Sequence, residues 1–237
     1  MPTYNERENI SRLVPVILET LDEYKINGLI LVIDDNSPDG TAEIVQEWIK
    51  KDHRVQILNR PKKTGLGSAY RAGFRRALDL EADVIFEMDS DFSHNPRMIP
   101  PMLQSLSNSD LVVGSRKVEK GGILGWGFRR TAVSWGANMI THVLLRLGTR
   151  DVTSGFRAIR ATTLREIDLE RMKTEGYAFQ IELLYLIERV RRKRVTEVPI
   201  VFVDRVRGQS KLGMKDIIEF AAQVFRLFLQ RPSRMLE

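Results

Sequence analysis

Val84-Ile85-Phe86-Glu87-Met88-Asp89-Ser90-Asp91 reads as a strand over 83–88 that ends in two carboxylates one residue apart. The same grammar occurs upstream, where Leu29-Ile30-Leu31-Val32-Ile33 is a continuous apolar run bounded by Gly28 and closed by Asp34-Asp35. Unbroken apolar runs of this length suit buried parallel strands. Helical patterns flank them. Ile10, Leu13, Val14, Ile17, Leu18 and Leu21 predict an amphipathic helix over 6–25, with Asn5 and Glu8 as its capping box. A second helix is expected from Thr41, burying Ile44, Val45, Trp48 and Ile49, and a third over 68–80. Strands at 55–58 and 111–113 and a helix capped by Asn95 and opened by Pro96 complete the first half. This alternation predicts an α/β fold, a doubly wound and mostly parallel sheet covered on both faces. Ligands of such sheets lie beyond the carboxyl ends of the strands, where both acid pairs fall.

The second half is less regular. Gly121, Gly122, Gly125 and Gly127 predict a flexible loop before an apolar helix over 132–147. A loop entering a strand is expected at 153–159, a helix at 178–193, a strand at 198–203 and an amphipathic helix at 214–230. Without a linker or repeat, one domain over 1–237 is expected: a ligand- and metal-binding half (1–115), an acceptor half (116–213) and a terminal helix (214–237). Because Met1-Pro2-Thr3-Tyr4-Asn5 opens at a strand-to-helix turn, the first strand is expected to be missing or truncated and the native chain to be longer.

Composition narrows the chemistry. The 237 residues, 43% hydrophobic, suffice for one large core, and the absence of cysteine excludes disulfides, zinc-thiolate sites and a thiol nucleophile. A net charge of +6 fits nucleic acid, an anionic membrane or a phosphorylated substrate equally well. Aromatic residues do not interleave with a basic stripe, so no nucleic-acid partner is expected. No secretory leader is expected, and the uncharged stretch 131–145 is short for a bilayer span, which suggests a soluble or peripheral protein.

Two carboxylates spaced as Asp89 and Asp91 can share an oxygen-ligated Mg²⁺ or Mn²⁺ that completes its shell with phosphates and water; alone, the triplet also fits a solvated strand end. The stretch Asp34-Asp35-Asn36-Ser37-Pro38-Asp39-Gly40-Thr41 has turn and cap chemistry, yet a carboxylate there can also bond a base or ribose hydroxyl. Lys62-Lys63-Thr64-Gly65-Leu66-Gly67 looks like a phosphate-binding loop and nearly matches a dinucleotide fingerprint. Tyr70 occupies the third glycine position, so a tight turn carrying basic groups is the preferred reading. Of three histidines, His53 and His142 read as surface or helix residues; His94, close to the acid pair, reads as structural or as a support behind the metal.

Taken jointly, Pro2-Thr3-Tyr4-Asn5-Glu6, the Asp34–Thr41 stretch, Gly65-Leu66-Gly67, Asp89-Ser90-Asp91-Phe92-Ser93-His94, Gly114-Ser115-Arg116, Thr153-Ser154-Gly155-Phe156-Arg157 and Phe202-Val203-Asp204-Arg205 running to Ser210-Lys211-Leu212 resemble family 2 glycosyltransferases of GT-A fold, and within them the dolichol-phosphate mannose synthases. The resemblance implies a GDP-mannose donor and a dolichyl or other polyprenyl phosphate acceptor. A glucosyl donor or an undecaprenyl acceptor is the alternative. It further implies a nucleoside site at Pro2, Tyr4, Glu6, Ile33 and Asp35, with Ser90, Arg205 and Lys211 also on the donor. The cation would sit on Asp89 and Asp91, with Ser93 where some relatives carry an amide ligand. Arg116, Arg130 and Ser134 would receive the acceptor phosphate. A peripheral position on the cytoplasmic face of a membrane is expected, held by either a membrane-anchoring subunit or an interfacial helix. Apolar residues of the terminal helix, Ile217, Phe220, Val224, Phe225 and Phe228 among them, serve core packing or a membrane interface, as do the flanking arginines.

Overall fold

The computed structural model describes residues 1–172, 174–203 and 214–229, with the side chains of 129, 130, 133, 177 and 214–219 outside that set. In chain order its elements are β1 (Pro2–Thr3), α1 (Arg7–Glu23), β2 (Ile30–Asp34), α2 (Thr41–Lys51), β3 (Val55–Asn59), α3 (Leu66–Asp79), β4 (Val84–Glu87), α4 (Ile99–Leu106) after a single turn at Pro96–Met98, and β5 (Leu111–Ser115). They continue as β6 (Gly122–Leu124), α5 (Phe128–Leu145), β7 (Arg157–Arg160), α6 (Ala161–Arg165), α7 (Gly176–Tyr185), β8 (Val195–Pro199), β9 (Val201–Val203) and α8 (Met214–Leu229).

The expected first strand is present in a short form: Pro2 and Thr3 pair parallel with Ile33 and Asp34 of β2. β1, β2 and β3 form one parallel sheet, and β4-β7-β5-β8 form a second. The pairing departs from a wholly parallel arrangement at β7, which runs antiparallel between β4 and β5. The stretch expected to be only a glycine loop contains β6, which pairs parallel with β9 inside the strand expected at 198–203.

The strands alternate their burial. Leu111 and Val113 of β5 enter the core shared by α3, α5, α6, α7 and α8, while Val112 enters the core under α1 and α4. Side chains two apart share a face of a strand, so each strand feeds both layers, which is why it reads as uninterrupted apolar sequence. Gly73 lets α3 approach this sheet closely, because a Cβ there would lie 2.9 Å from the Ile33 Cδ1.

One cap differs from expectation. Asn5 is in the left-handed region (φ 63°), so it cannot close the first turn of α1, whose preceding residue is Glu6. The turn is held instead by the loop after β2: Arg7 N–H donates to Asp39 Oδ2 (3.0 Å), Glu6 N–H to Thr41 Oγ1 (3.0 Å) and Asn5 N–H to Ser37 Oγ (3.0 Å). Asn95 does cap its turn, accepting from Arg97 N–H at 3.0 Å.

Candidate active site

The carboxyl ends of β1, β2 and β4 meet along one edge, where the Ser90 hydroxyl donates to the Pro2 carbonyl (3.2 Å). At the β2 end, Asp34 is a structural knot. Its carboxylate accepts from Thr3 Oγ1 (2.9 Å), Ser37 Oγ (2.6 Å) and Ser37 N–H (2.9 Å). Asp35 is buried against Arg60, with Nη1 to Oδ1 at 2.9 Å. Burial pushes the Asp35 carboxyl above its ordinary value, and the Arg60 charge opposes that rise. Lys63 places its ammonium 4.0 Å from the Tyr4 ring centroid. Tyr4, Asp35, Arg60 and Lys63 therefore line one corner with an aromatic face, a carboxylate and two cations. Glu6 borders it, its carboxylate accepting from Asn9 Nδ2 (2.6 Å). Ile33 is different: its side chain is core packed against α3, so it shapes the floor and offers no side-chain contact to a ligand.

The Gly65-Leu66-Gly67 turn does not present an open helix end. The Glu175 carboxylate, from far along the chain, accepts from Ser68 N–H at 3.1 Å and pairs with Arg71 (3.0 Å). A negative group already satisfies the amides that a phosphate would use. A Cβ on Gly65 (φ +116°) would overlap the Glu175 carboxylate, and one on Gly67 would overlap the Thr174 carbonyl. These glycines permit the 174–175 segment to dock, which agrees with a tight turn carrying basic groups.

At the β4 end, Asp89 is partly open, its side chain 32% exposed. The backbone of Ser93 holds Asp91, donating to Oδ1 at 3.0 Å. The Ser93 hydroxyl is itself buried and has no hydrogen-bond partner among the described residues. Tyr70 Oη donates to Asp89 Oδ1 (3.4 Å), and His94 Nδ1 accepts from Asp89 N–H (3.0 Å). Desolvation lowers the His94 pKa despite the nearby aspartates, so the ring is neutral at neutral pH. Beneath lies a fully buried pair, Glu87 and Arg157, opposite each other in the β4–β7 register with Nε to Oε2 at 3.8 Å. Desolvation pushes Glu87 up to about 7, against the pull of Arg157. Arg157 also donates to the carbonyls of Ser154 (2.9 Å), Gln180 (2.8 Å) and Val152 (3.1 Å), fixing the 152–156 turn. Glu87 was visible as the polar residue in an apolar strand, but its partner was not.

Arg116 changes role. Its fork is taken by Asp151, with Nε to Oδ2 and Nη2 to Oδ1 both at 2.7 Å, and Nη2 also donates to Thr153 (2.9 Å). The guanidinium lies over Trp126 (5.6 Å) and Phe202 (5.4 Å). Arg116, expected among the residues that receive the acceptor phosphate, thus has Nε and Nη2 engaged by a buried carboxylate. Asp151, Thr153 and Trp126 were missed because their partnership with Arg116 is long-range. Phe202 also edges the His94 ring (6.0 Å), so the Arg116 wall and the acid pair are contiguous. Ser134 sits half-buried on α5. Arg130 is on the same helix with its side chain outside the described residues, and Arg205 and Lys211 lie wholly outside them.

The acid pair suits a hard divalent cation: both donors are carboxylate oxygens on residues two apart just after β4, and one is open to solvent. Among the described residues no cluster of three His, Cys, Asp or Glu forms a complete protein cage, so substrate oxygens and water would have to supply the rest. That is the usual habit of Mg²⁺ and Mn²⁺ at phosphate sites.

The α/β sheet that carries this strand-end acid pair has the GT-A glycosyltransferase fold. The family model for glycosyl transferase family 2 matches residues 1–168, and the chain belongs to that family. It is 40% identical over 226 residues to an undecaprenyl-phosphate mannosyltransferase of Micrococcus luteus, covering 95% of this chain and 91% of that protein. It is also 40% identical to a polyprenol monophosphomannose synthase of Mycolicibacterium smegmatis, covering 92% of this chain and 82% of the relative. Among solved structures it is similar in fold to glucosyl-3-phosphoglycerate synthase from Mycobacterium tuberculosis in complex with Mn²⁺, uridine-diphosphate and phosphoglyceric acid (TM-score 0.69, 18% identity, 97% of this chain and 77% of that one). A similar fold occurs in mannosyl-3-phosphoglycerate synthase from Rubrobacter xylanophilus (TM-score 0.68, 18% identity, 98% of this chain and 72% of that one).

Proposed function

We propose that this chain transfers mannose from GDP-mannose to a polyprenyl phosphate, inverting the anomeric carbon to give a β-linked mannosyl phosphate lipid. The observation that carries the reading is the acid pair, propped from behind and open on one side, in a chain whose relatives of 40% identity are both named for mannose transfer or polyprenol mannose synthesis.

The acceptor is itself the nucleophile. A phosphate monoester has its second ionisation near pKa ~6, so at neutral pH it needs no serine, cysteine or histidine base. Catalysis is then positioning and charge stabilisation. Asp89 and Asp91 would hold Mg²⁺ or Mn²⁺, which when bound neutralises the leaving diphosphate, with Ser93 as a further oxygen nearby. Pro2, Tyr4, Glu6, Asp35 and Ser90 border the nucleoside, and Lys63 and Arg60 balance its phosphates from the side. Arg130 and Ser134 on α5 receive the acceptor phosphate, while Arg116, held by Asp151, builds the wall and contributes a fixed field. Arg205 and Lys211 close over the donor.

A lipid acceptor calls for a membrane-facing surface. Among the described residues no helix is long and apolar enough to cross a membrane. Phe128, Trp135, Met139, Ile140 and Val143 of α5 are exposed, as are Phe225, Phe228 and Leu229 of the adjoining α8. Large apolar side chains on two adjoining helices support peripheral docking at the cytoplasmic face, alone or with an anchoring subunit. The test is a panel of nucleotide sugars with undecaprenyl and dolichyl phosphate and Mn²⁺, read as label moved into the lipid phase. GDP-mannose is expected to dominate. Transfer from another sugar donor, or none to any polyprenyl phosphate, overturns the reading.

A further inference from the structure

We propose that Tyr70 and His94 are positioning residues that lock the Asp89 carboxylate in its metal-binding rotamer from two sides. The inference rests on the reading of Asp89 and Asp91 as cation ligands. Tyr70 stands where a dinucleotide loop would carry its third glycine, and the structure gives that tyrosine a task. It is 3% exposed, its ring parallel to Phe179 (centroids 5.8 Å apart, 3° between planes) and against Phe74 (6.0 Å). Packed on these rings, it directs its hydroxyl to Asp89 Oδ1 at 3.4 Å.

His94 approaches from the other side. It is 2% exposed and stacked on Phe156, with centroids 4.9 Å apart and planes 9° apart. Because Nδ1 accepts the Asp89 N–H, the ring carries its proton on Nε2, which stands 3.8 Å from Asp89 Oδ2. The main-chain amide and both carboxylate oxygens of Asp89 are thus each faced by one of two side chains that are themselves immobilised by aromatic packing. Asp91 accepts the main-chain N–H of Ser93 at 3.0 Å. A ligand carboxylate whose rotamer is set during folding loses less entropy when it binds its ion, and such supports ordinarily contribute about 10–100-fold in metal affinity.

The experiment compares Tyr70→Phe and His94→Asn in the full chain. The first keeps the aromatic stack and removes only the hydroxyl. The second keeps an acceptor near the Nδ1 position and removes Nε2. Mn²⁺ is titrated against each protein and the free ion followed by electron paramagnetic resonance, with turnover measured across Mn²⁺ concentration. The expected result is a Kd for Mn²⁺ raised about 10-fold in each variant, with kcat recovering at saturating Mn²⁺ and metal-free melting of Tyr70→Phe unchanged. If His94→Asn fails to fold, Tyr70→Phe decides alone. An unchanged Mn²⁺ Kd in variants of a protein that does bind Mn²⁺ overturns the clamp and leaves the metal reading standing. A wild-type chain that binds no Mn²⁺ overturns the metal reading, and the clamp falls with it.

Discussion

The two strand-end acid pairs look alike in sequence and do opposite things in space. Asp34 is consumed internally by Thr3 and Ser37, and Asp35 is paired with Arg60. Asp89 is braced from behind by Tyr70 and His94 and keeps a third of its side chain open. Acidity at a strand end is therefore not what makes a cation site. What matters is whether the surrounding donors use up the carboxylate or merely orient it.

Substitutions can break that contrast. Asp91→Ala should have the largest effect: a loss of turnover of about 10³-fold with the fold retained, measured as label transferred to lipid phosphate alongside a melting curve. Equal activity in mutant and wild type would erase the distinction between the pairs. Asp34→Ala should do the reverse, costing about 3 kcal/mol in urea unfolding because buried hydroxyl and amide donors lose their acceptor. Its remaining folded fraction should still transfer sugar. Asp35→Asn should raise the donor KM about 10-fold while kcat changes little, since a corner that only binds contributes equally to ground and transition states.

A pH dependence sharpens the comparison below the site. Glu87 is raised from 4.5 to about 7, so the folded chain holds this proton more tightly than the unfolded one. Stability should therefore fall as pH rises from the ordinary glutamate range through about 7 and then level off. Urea unfolding at several pH values should show this slope in the wild type and a flatter one in Glu87→Gln. A stability that rises over the same window would remove the buried pair from the account of the site's floor.

Much of the site was legible along the chain because strand ends are local. Apolar runs closed by acids placed Asp35, Asp89 and Asp91 beyond the strands, whereas Pro2, Tyr4 and Glu6 entered only through the family resemblance. The acceptor side was less so. Arg116 read as an available cation, since nothing in Gly114-Ser115-Arg116 announces that Asp151, 35 residues on, takes its fork. The glycine loop read as a tight turn, but nothing local showed that Glu175, 107 residues beyond Ser68, fills its amide end.

By itself, then, the sequence determined the α/β alternation, the strand ends at which the acid pairs fall and the exclusion of a thiol nucleophile. Periodicity and short-range spacing carry that information within one element and its turn. Only the tertiary structure decided which carboxylates remain oriented toward solvent, which arginine is already paired and why Tyr70 stands where a glycine could have been. Those outcomes depend on partners brought together by folding, and a charged group acts according to the charges and donors beside it in space.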